Sequence, residues 1–333
     1  MNQDVGLYRH MSFLSLRPNA ISCPRLMAMG FSESDVISVL QKIFATQDPR
    51  VHLGIGDDAA VVATSPRSVV SSDMAVEGVH FKTEWSSAFD IGRKITAANV
   101  ADILAMGGRC DYLVAAVSLT GTEELGWIEN LARGMHHEAT LAGAVIVGGD
   151  IARASQIVIA MTAVGTALQP ITRSGAQVGD SIYLSSLPGW SAAGLELLTR
   201  EISLNSLAAD MALSQFSAPT LDYAINFSGA SAMVDLSDSL MVQGGQLAAA
   251  SGVSLALNQT LFVKSDEFNE LNNLATEINA DVWQWILGGG EDHVLLATGK
   301  NLPGLHLGEV VAGSGITGLE MEIAPVSWSH FQP

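Results

Sequence analysis

Short acidic motifs sit at the ends of the apolar runs of this chain and recur along most of its length. They are Asp57-Asp58 in GIGDD, Asp73 in SSD, Asp102 in NVAD, Asp150 in GGD, Asp235 and Asp238 in DLSD, and Glu291-Asp292 in GGGED. Most are flanked by Gly, Ser, Ala or Val, where the chain leaves a buried segment for a turn. A solvated acidic face would instead scatter its carboxylates among Lys and Arg. At 4 Å and an effective dielectric of about 20, each close carboxylate pair repels by roughly 4 kcal/mol. A pocket in which four converge is tolerable only with cations in it. The pattern predicts multivalent metal held by hard oxygen ligands, and with it phosphate chemistry.

The rest of the composition narrows the setting. A chain of 333 residues predicts two domains with ample material for cores, and 48% hydrophobic against 15% charged residues describes a compact protein. The formal charge of −18 argues against a nucleic-acid partner or an anionic membrane surface, since no Lys/Arg run is available to replace counterions. Cys23 and Cys110 form no CxxC and give neither a disulfide framework nor a zinc pattern. Residues 1–19 lack the continuous apolar stretch of a signal peptide, and the longest apolar run, Ile157 to Leu168, is cut by Thr162, Gly165 and Thr166. These features predict a cytoplasmic protein.

Patterning gives an α/β (α+β) chain in three parts: a flexible lead-in over 1–30, an N-terminal domain over 31–167 and a C-terminal domain over 168–333. Ser32-Glu33-Ser34-Asp35 is a helix-start signature before VISVLQKIF. AAVVAT and VVSSD, joined by SPRS, read as a β-hairpin. A helix is expected from Asp90 to Met106, stopped by Gly107-Gly108. YLVAAVSL reads as a buried strand, Glu123 to Ala142 as a helix, VIVGGD as a strand ending in its carboxylate, and QIVIAMTAVGTAL as another strand. After Leu168-Gln169-Pro170 a second unit begins, with SAAGLELLTR helical, 200–220 polar, and a strand-to-helix junction at AMVDLSDSL that puts Asp235 and Asp238 on one face of a helix start.

Several motifs fail on inspection. GIGDDA fits the dinucleotide pattern GxGxxA, but it is followed by strand and turn, and Asp57 and Asp58 would face the pyrophosphate. It reads better as a metal-binding turn, with Asp58 pointing inward. His136-His137-Glu138 lacks the second histidine of HExxH, because Leu141 holds that place. There is no GxxxxGK[ST] loop, so phosphates must be held mainly through metal.

In order along the chain, GIGDDAAVV, SSDMAVEGVHF, IGRKITAANVADILAMGG, VGGDIAR, ITRSGAQVGDSIYLSS, DLSDSL and GGGEDH resemble the thiamine-monophosphate kinases, in the superfamily of aminoimidazole ribonucleotide synthetase and selenophosphate synthetase. The resemblance covers about residue 31 to the C-terminus. It implies a strand-rich, dimerising N-terminal domain with a C-terminal α/β domain, ATP as co-substrate, thiamine monophosphate as acceptor, several Mg²⁺ ions and a homodimer. Carried over by position, the magnesium ligands are Asp58, Ser71, Ser72, Asp73, Asp102, Asp150, Asp235 and Asp238, of which Asp73, Asp150 and Asp238 are catalytic. Gly149, Asp150, Arg173 and Ser237 are expected to contact ATP, and His80, Glu291 and Trp328 the thiamine substrate; Asp57 and Asp292 are left to structural roles. The chain departs from the family pattern at Ser239 in DLSDSL, at Ile151-Ala152 in GGDIAR and at His293 in GGEDH. A sister ATP-dependent synthetase and a non-catalytic thiamine-phosphate or cation-binding protein stand as the alternatives.

Overall fold

The computed structural model describes residues 32–55 and 59–319. The lead-in, Cys23, Asp57, Asp58 and Trp328 lie outside the described residues. Helix α1 (Glu33–Ile43) opens with the expected cap: Ser32 Oγ accepts from Asp35 N–H at 3.3 Å while the Asp35 carboxylate accepts from Ser32 N–H at 2.7 Å. Two short strands, β1 (Val51–Leu53) and β2 (Val61–Val62), pair antiparallel with each other. The hairpin expected between β2 and the following strand, β3 (Ser68–Val76), therefore does not form; β3 pairs instead with a strand some ninety residues on. Short-range turn chemistry at SPRS could not reveal a partner that distant.

The next elements are α2 (Ala88–Ala105), β4 (Arg109–Leu119), α3 (Leu125–Leu141), β5 (Val145–Arg153) and β6 (Val158–Thr166). They complete a four-stranded sheet of order β3-β6-β4-β5, antiparallel except for the parallel β4/β5 pair. One face packs on α2 and α3. Ile159, Met161 and Ala163 of β6 turn to that side and are fully buried. The two helices cross closely because Gly92 and Gly134 lack side chains: a Cβ on Gly134 would lie 1.9 Å from the Phe89 carbonyl, and one on Gly92 2.2 Å from that of Leu131. The other face is open, with Val70 64%, Met74 56% and Val114 39% exposed. Thus β4 is not buried throughout as its apolar run suggests. The strand β5 also runs on past Asp150 to Arg153, so that carboxylate lies within the strand and not at its end.

The remaining chain builds a six-stranded sheet of order β12-β9-β11-β7-β10-β8 from β7 (Ser181–Leu184), β8 (Ala232–Leu236), β9 (Ser254–Leu257), β10 (Val294–Gly299), β11 (Leu305–Val311) and β12 (Gly315–Thr317). Around it lie α4 (Trp190–Thr199), α5 (Leu207–Ser217), α6 (Leu240–Ser251), α7 (Gln259–Val263), α8 (Asp266–Glu277) and α9 (Val282–Gly288). The 200–220 stretch, read as polar, thus holds α5, whose start is capped by Ser206 Oγ accepting from Ala209 N–H. Strand β8 is buried on both sides: Ala232, Val234 and Leu236 join the large core under the helices, while Met233 packs with Ala105 of α2, Ile171 and Phe227. By the two-residue period Asp235 shares the Met233 side and faces α2. No helix among the described residues is long and apolar enough to cross a membrane.

Candidate active site

A cleft of about 920 Å³ opens between β3 and α2 on one side and the turns after β8 and before β10 on the other. Its floor comes from helical and strand periodicity. Lys94, Ala98 and Asp102 recur at four-residue spacing on α2 and so line one face. Ser71 and Asp73 alternate with Ser72 on β3 and turn toward that helix. The Ser71 hydroxyl donates to Asp102 Oδ2, and Asp73 N–H donates to Asn99 Oδ1 at 3.1 Å. Opposite them, β8 presents Asp235, 95% buried against the same stretch of α2.

The two acidic turns above the floor are pinned to each other. Glu291 N–H donates to the Ser237 carbonyl at 2.7 Å, and a Cβ on Gly290 would lie 2.4 Å from that oxygen. Buried Gln243 ties the lower turn down, donating through Nε2 to Ser237 Oγ at 3.1 Å and to Asp238 Oδ2 at 2.8 Å. Asp235 and Asp238 consequently do not share a helix face: Asp235 belongs to β8, Asp238 to the turn, and α6 starts only after its cap Ser239. Glu291 and His293 hold left-handed backbone, φ 68° and 53°, a conformation that costs non-glycine residues of order 1–3 kcal/mol and concentrates at ligand sites.

The electrostatics follow from this crowding. Burial, and then the charge of Asp102 with Asp235 and Glu291, pushes the Asp73 carboxyl up to about 6, against the opposing pull of His293. Burial likewise raises Asp102, while its hydrogen bond from Ser71 and the charge of Arg173 lower it. His293 lies buried with Nδ1 2.9 Å from Asp235 Oδ2; burial would lower its pKa, but Asp235, Glu291 and Asp73 lift it to about 9. Lys94 Nζ sits 3.0 Å from Glu291 Oε2 and 3.0 Å from the Phe216 carbonyl. Burial alone would raise Glu291, yet Lys94, His293 and His80 hold it below the usual range.

The expected site residues therefore divide into groups. Ser71, Asp73, Asp102, Asp235, Ser237, Asp238, Glu291 and His80 meet at or around one cleft. His80 is held there by Val76 N–H donating to its Nδ1 at 3.1 Å. Ser72 is at the rim, on the other face of β3, donating to the Met161 carbonyl at 2.9 Å. Arg173 stands in an adjoining hollow of about 510 Å³ that shares Asp102 and Asp235 with the cleft, its Nη1 donating to Gln246 Oε1. Asp150 is apart. It pairs with Ala116 on β5, at the far edge of the sheet from β3, roughly 14 Å away at 4.8 Å per strand. It is exposed there, and with Gly149 it borders a separate apolar hollow of about 160 Å³ under α1 and α3. Asp292 is structural, its carboxylate accepting from Gly189 and Ser191 N–H at the start of α4.

Sequence reasoning missed Lys94, His293 and an aromatic wall. In that wall Lys82 Nζ lies 3.9 Å over the Trp85 ring, and Trp85 meets Phe216 edge-on at 6.0 Å. The spacing of Lys94 from Asp102, eight residues along a helix, was the available signal for the first. Phe216 comes from a distant helix and had none.

Magnesium was expected here. Among the described residues no three His, Cys, Asp or Glu side chains already converge as a metal cluster. The donor set nevertheless fits the ion. Asp235 Oδ1 is buried without a hydrogen-bond partner among the described residues, and Asp73 and Asp102 crowd beside it as hard oxygen ligands. Mg²⁺ commonly takes one or two carboxylates and completes its octahedron with water and substrate phosphates, so it requires no full protein cage.

Comparison with known proteins agrees in sequence and in fold. The family described as "AIR synthase related protein, N-terminal domain" matches residues 56–167. The thiamine-monophosphate kinase of Mycobacterium tuberculosis (strain ATCC 25618 / H37Rv) is 38% identical over 256 residues, spanning 75% of this chain and 76% of that protein. The crystal structure of thiamine-monophosphate kinase from Stenotrophomonas maltophilia K279a superposes with a TM-score of 0.74 at 29% identity, covering 86% of this chain and 96% of the other. A structure of AaThiL complexed with AMPPCP and TMP gives 0.72 at 28% identity, covering 90% and 97%.

Proposed function

The chain belongs to the thiamine-monophosphate kinases, and on that premise we infer that its acidic cleft carries out the ATP-dependent phosphorylation of thiamine monophosphate to thiamine diphosphate. The observation that supports the assignment of this cleft is the meeting of Asp73, Asp102 and Asp235, from β3, α2 and β8, in its lining, with an Asp235 oxygen that has no hydrogen-bond partner among the described residues. The attacking group is a phosphate oxygen of the acceptor. A phosphate monoester has its second pKa near ~6 and is mostly dianionic at neutral pH, so no strong general base is needed. The site must instead bring two repelling anions into line.

Asp73, Asp102, Asp235 and Asp238, with Ser71 and Asp58, would hold magnesium. When bound, the ion neutralises charge on the phosphates and orients them. The protein's own groups do the rest. Lys94 keeps Glu291 ionised and fixed on the cleft wall. Glu291 and His80 are suited to orient the acceptor, a role that the family resemblance also implies for Trp328. Trp85 and Phe216 offer aromatic surface to a cationic thiazolium ring. Arg173, in the hollow beyond Asp102 and Asp235, is suited to a nucleotide phosphate, as is Ser237 in the cleft itself. The apolar hollow beside Gly149 suits a flat base.

The exposed strip of Val70, Met74 and Val114 supports a homodimer in which a second copy covers the open sheet face, the face that also carries Asp150. The direct test is an assay with ATP, Mg²⁺ and thiamine monophosphate, with thiamine as control acceptor. ADP and thiamine diphosphate should form with the monophosphate and not with thiamine. No ADP release, or equal release with thiamine, would overturn the assignment.

A further inference from the structure

We propose that His293 is a positioning residue that commits Asp235 to binding a divalent cation through one oxygen only, Oδ1. The inference rests on the reading of the cleft as a cation site. Asp235 and His293 are 5% and 6% exposed, and His293 Nδ1 lies 2.9 Å from Asp235 Oδ2. With its N–H donated there, the imidazole occupies one carboxylate oxygen and fixes the side-chain rotamer. The other oxygen, Oδ1, is buried and has no hydrogen-bond partner among the described residues.

A histidine that served only to satisfy a core carboxylate would leave no reason for that second oxygen to stay unmatched, because a buried acceptor without a partner is destabilising. Asp111, comparably buried at the base of the four-stranded sheet, has both oxygens matched. Asp235 lines the cleft together with Asp73 and Asp102, and with Asp102 it also lines the Arg173 hollow. Pinning one oxygen excludes bidentate ligation. It also removes the rotamer search that an unsupported aspartate would undergo each time the ion arrives. His293 is itself anchored, by its left-handed backbone and by Val294 pairing with Leu236 at the start of β10.

The test reads metal binding and not turnover. Mn²⁺ is titrated into the full-length protein without nucleotide, and bound ion is followed by loss of the aqueous Mn²⁺ resonance. His293→Phe should weaken uptake by about 10–100-fold, the usual effect of losing a hydrogen bond to a metal ligand. His293→Asn, whose Nδ2–H stands where Nδ1–H did, should restore it to within a few-fold. If the Phe variant fails to fold, His293→Gln serves in its place, since its amide reaches the Nε2 position and not that of Nδ1. Wild-type uptake that His293→Phe or His293→Gln leaves unchanged overturns the role of His293 alone. A wild-type protein that takes up no Mn²⁺ overturns it together with the cation reading.

Discussion

Two acidic clusters in this molecule are similarly buried and oppositely finished. At the base of the four-stranded sheet, Asp111 is 6% exposed, and every oxygen is used: Arg50 Nη1 at 2.7 Å and Arg109 Nη2 at 2.8 Å on Oδ1, the Thr166 hydroxyl at 2.6 Å on Oδ2. Its neighbour Asp48, gripped by the Arg50 side chain and backbone, is held down at about 2. In the cleft, Asp235 is 5% exposed with one oxygen unmatched among the described residues, and Asp73 stands at about 6 because burial and other carboxylates surround it. Two of the chain's sixteen Lys and Arg residues serve the first cluster, whereas Lys94 in the cleft is spent on Glu291. Charge left uncompensated inside a fold is unstable by itself and is retained where a ligand completes it.

Neutralising one carboxylate in each cluster separates function from stability. Asp73→Asn should lower kcat by about 10²–10³-fold, the scale seen when one preorganised electrostatic group is removed from a transition state. The metal-free protein should at the same time melt no lower than wild type, because the variant relieves repulsion. Near-wild-type turnover would remove Asp73 from the chemistry. Asp111→Asn should do the reverse, leaving turnover near normal and reducing stability by about 2–3 kcal/mol, since charged hydrogen bonds from Arg50 and Arg109 are lost. Urea denaturation of both variants reads the contrast, and equal destabilisation by the two would erase it.

Much of this was legible in the chain and some was not. The α1 cap, α2 with its glycine stop and the order of acidic motifs are local signals, and local chemistry produced them. Ser71, Asp73 and Asp102 could be grouped because motif order carried them, and β3 then packs on α2 as the alternation requires. The strand partner of β3 could not be read, since pairing with β6 is a long-range choice. Asp235 was misplaced onto a helix because DLSDSL is compatible with both a strand end and a helix start, and only the buried pairing of β8 with β10 decides it. The separation of Asp150 from Asp73 was hidden for the same reason, as it depends on the strand order β3-β6-β4-β5. His293 stood out only as a departure from the family pattern in GGEDH, with nothing to show its role, which depends on a left-handed backbone and a partner fifty-eight residues away.

The smallest predicted effect, and the one that tests the comparison most directly, is on the pH dependence of stability. Asp73 and Asp292 are raised to about 6, above the roughly 3.9 of an unfolded aspartate. Each therefore stabilises the fold fully below about pH 4, and that contribution is lost as pH rises through 6. His293, raised to about 9 from its usual ~6.5, acts in the same sense and loses its contribution as pH rises through 9. Asp48, lowered to about 2, acts in the opposite sense: its contribution is present above about pH 4 and is lost only as pH falls through 2. Between pH 5 and 8.5, in EDTA, the melting temperature should therefore fall as pH rises, governed by the cleft and not by the Arg-paired cluster. Mg²⁺ should flatten that fall by favouring the ionised carboxylates, and Asp73→Asn should flatten it without metal. The general effect of lowering the net negative charge is common to wild type and variant, so the difference between their slopes isolates Asp73. A melting temperature that climbs from pH 5 to 8.5 without metal, or identical slopes in the two proteins, would mean that the cleft is already compensated and that the two clusters do not differ in kind.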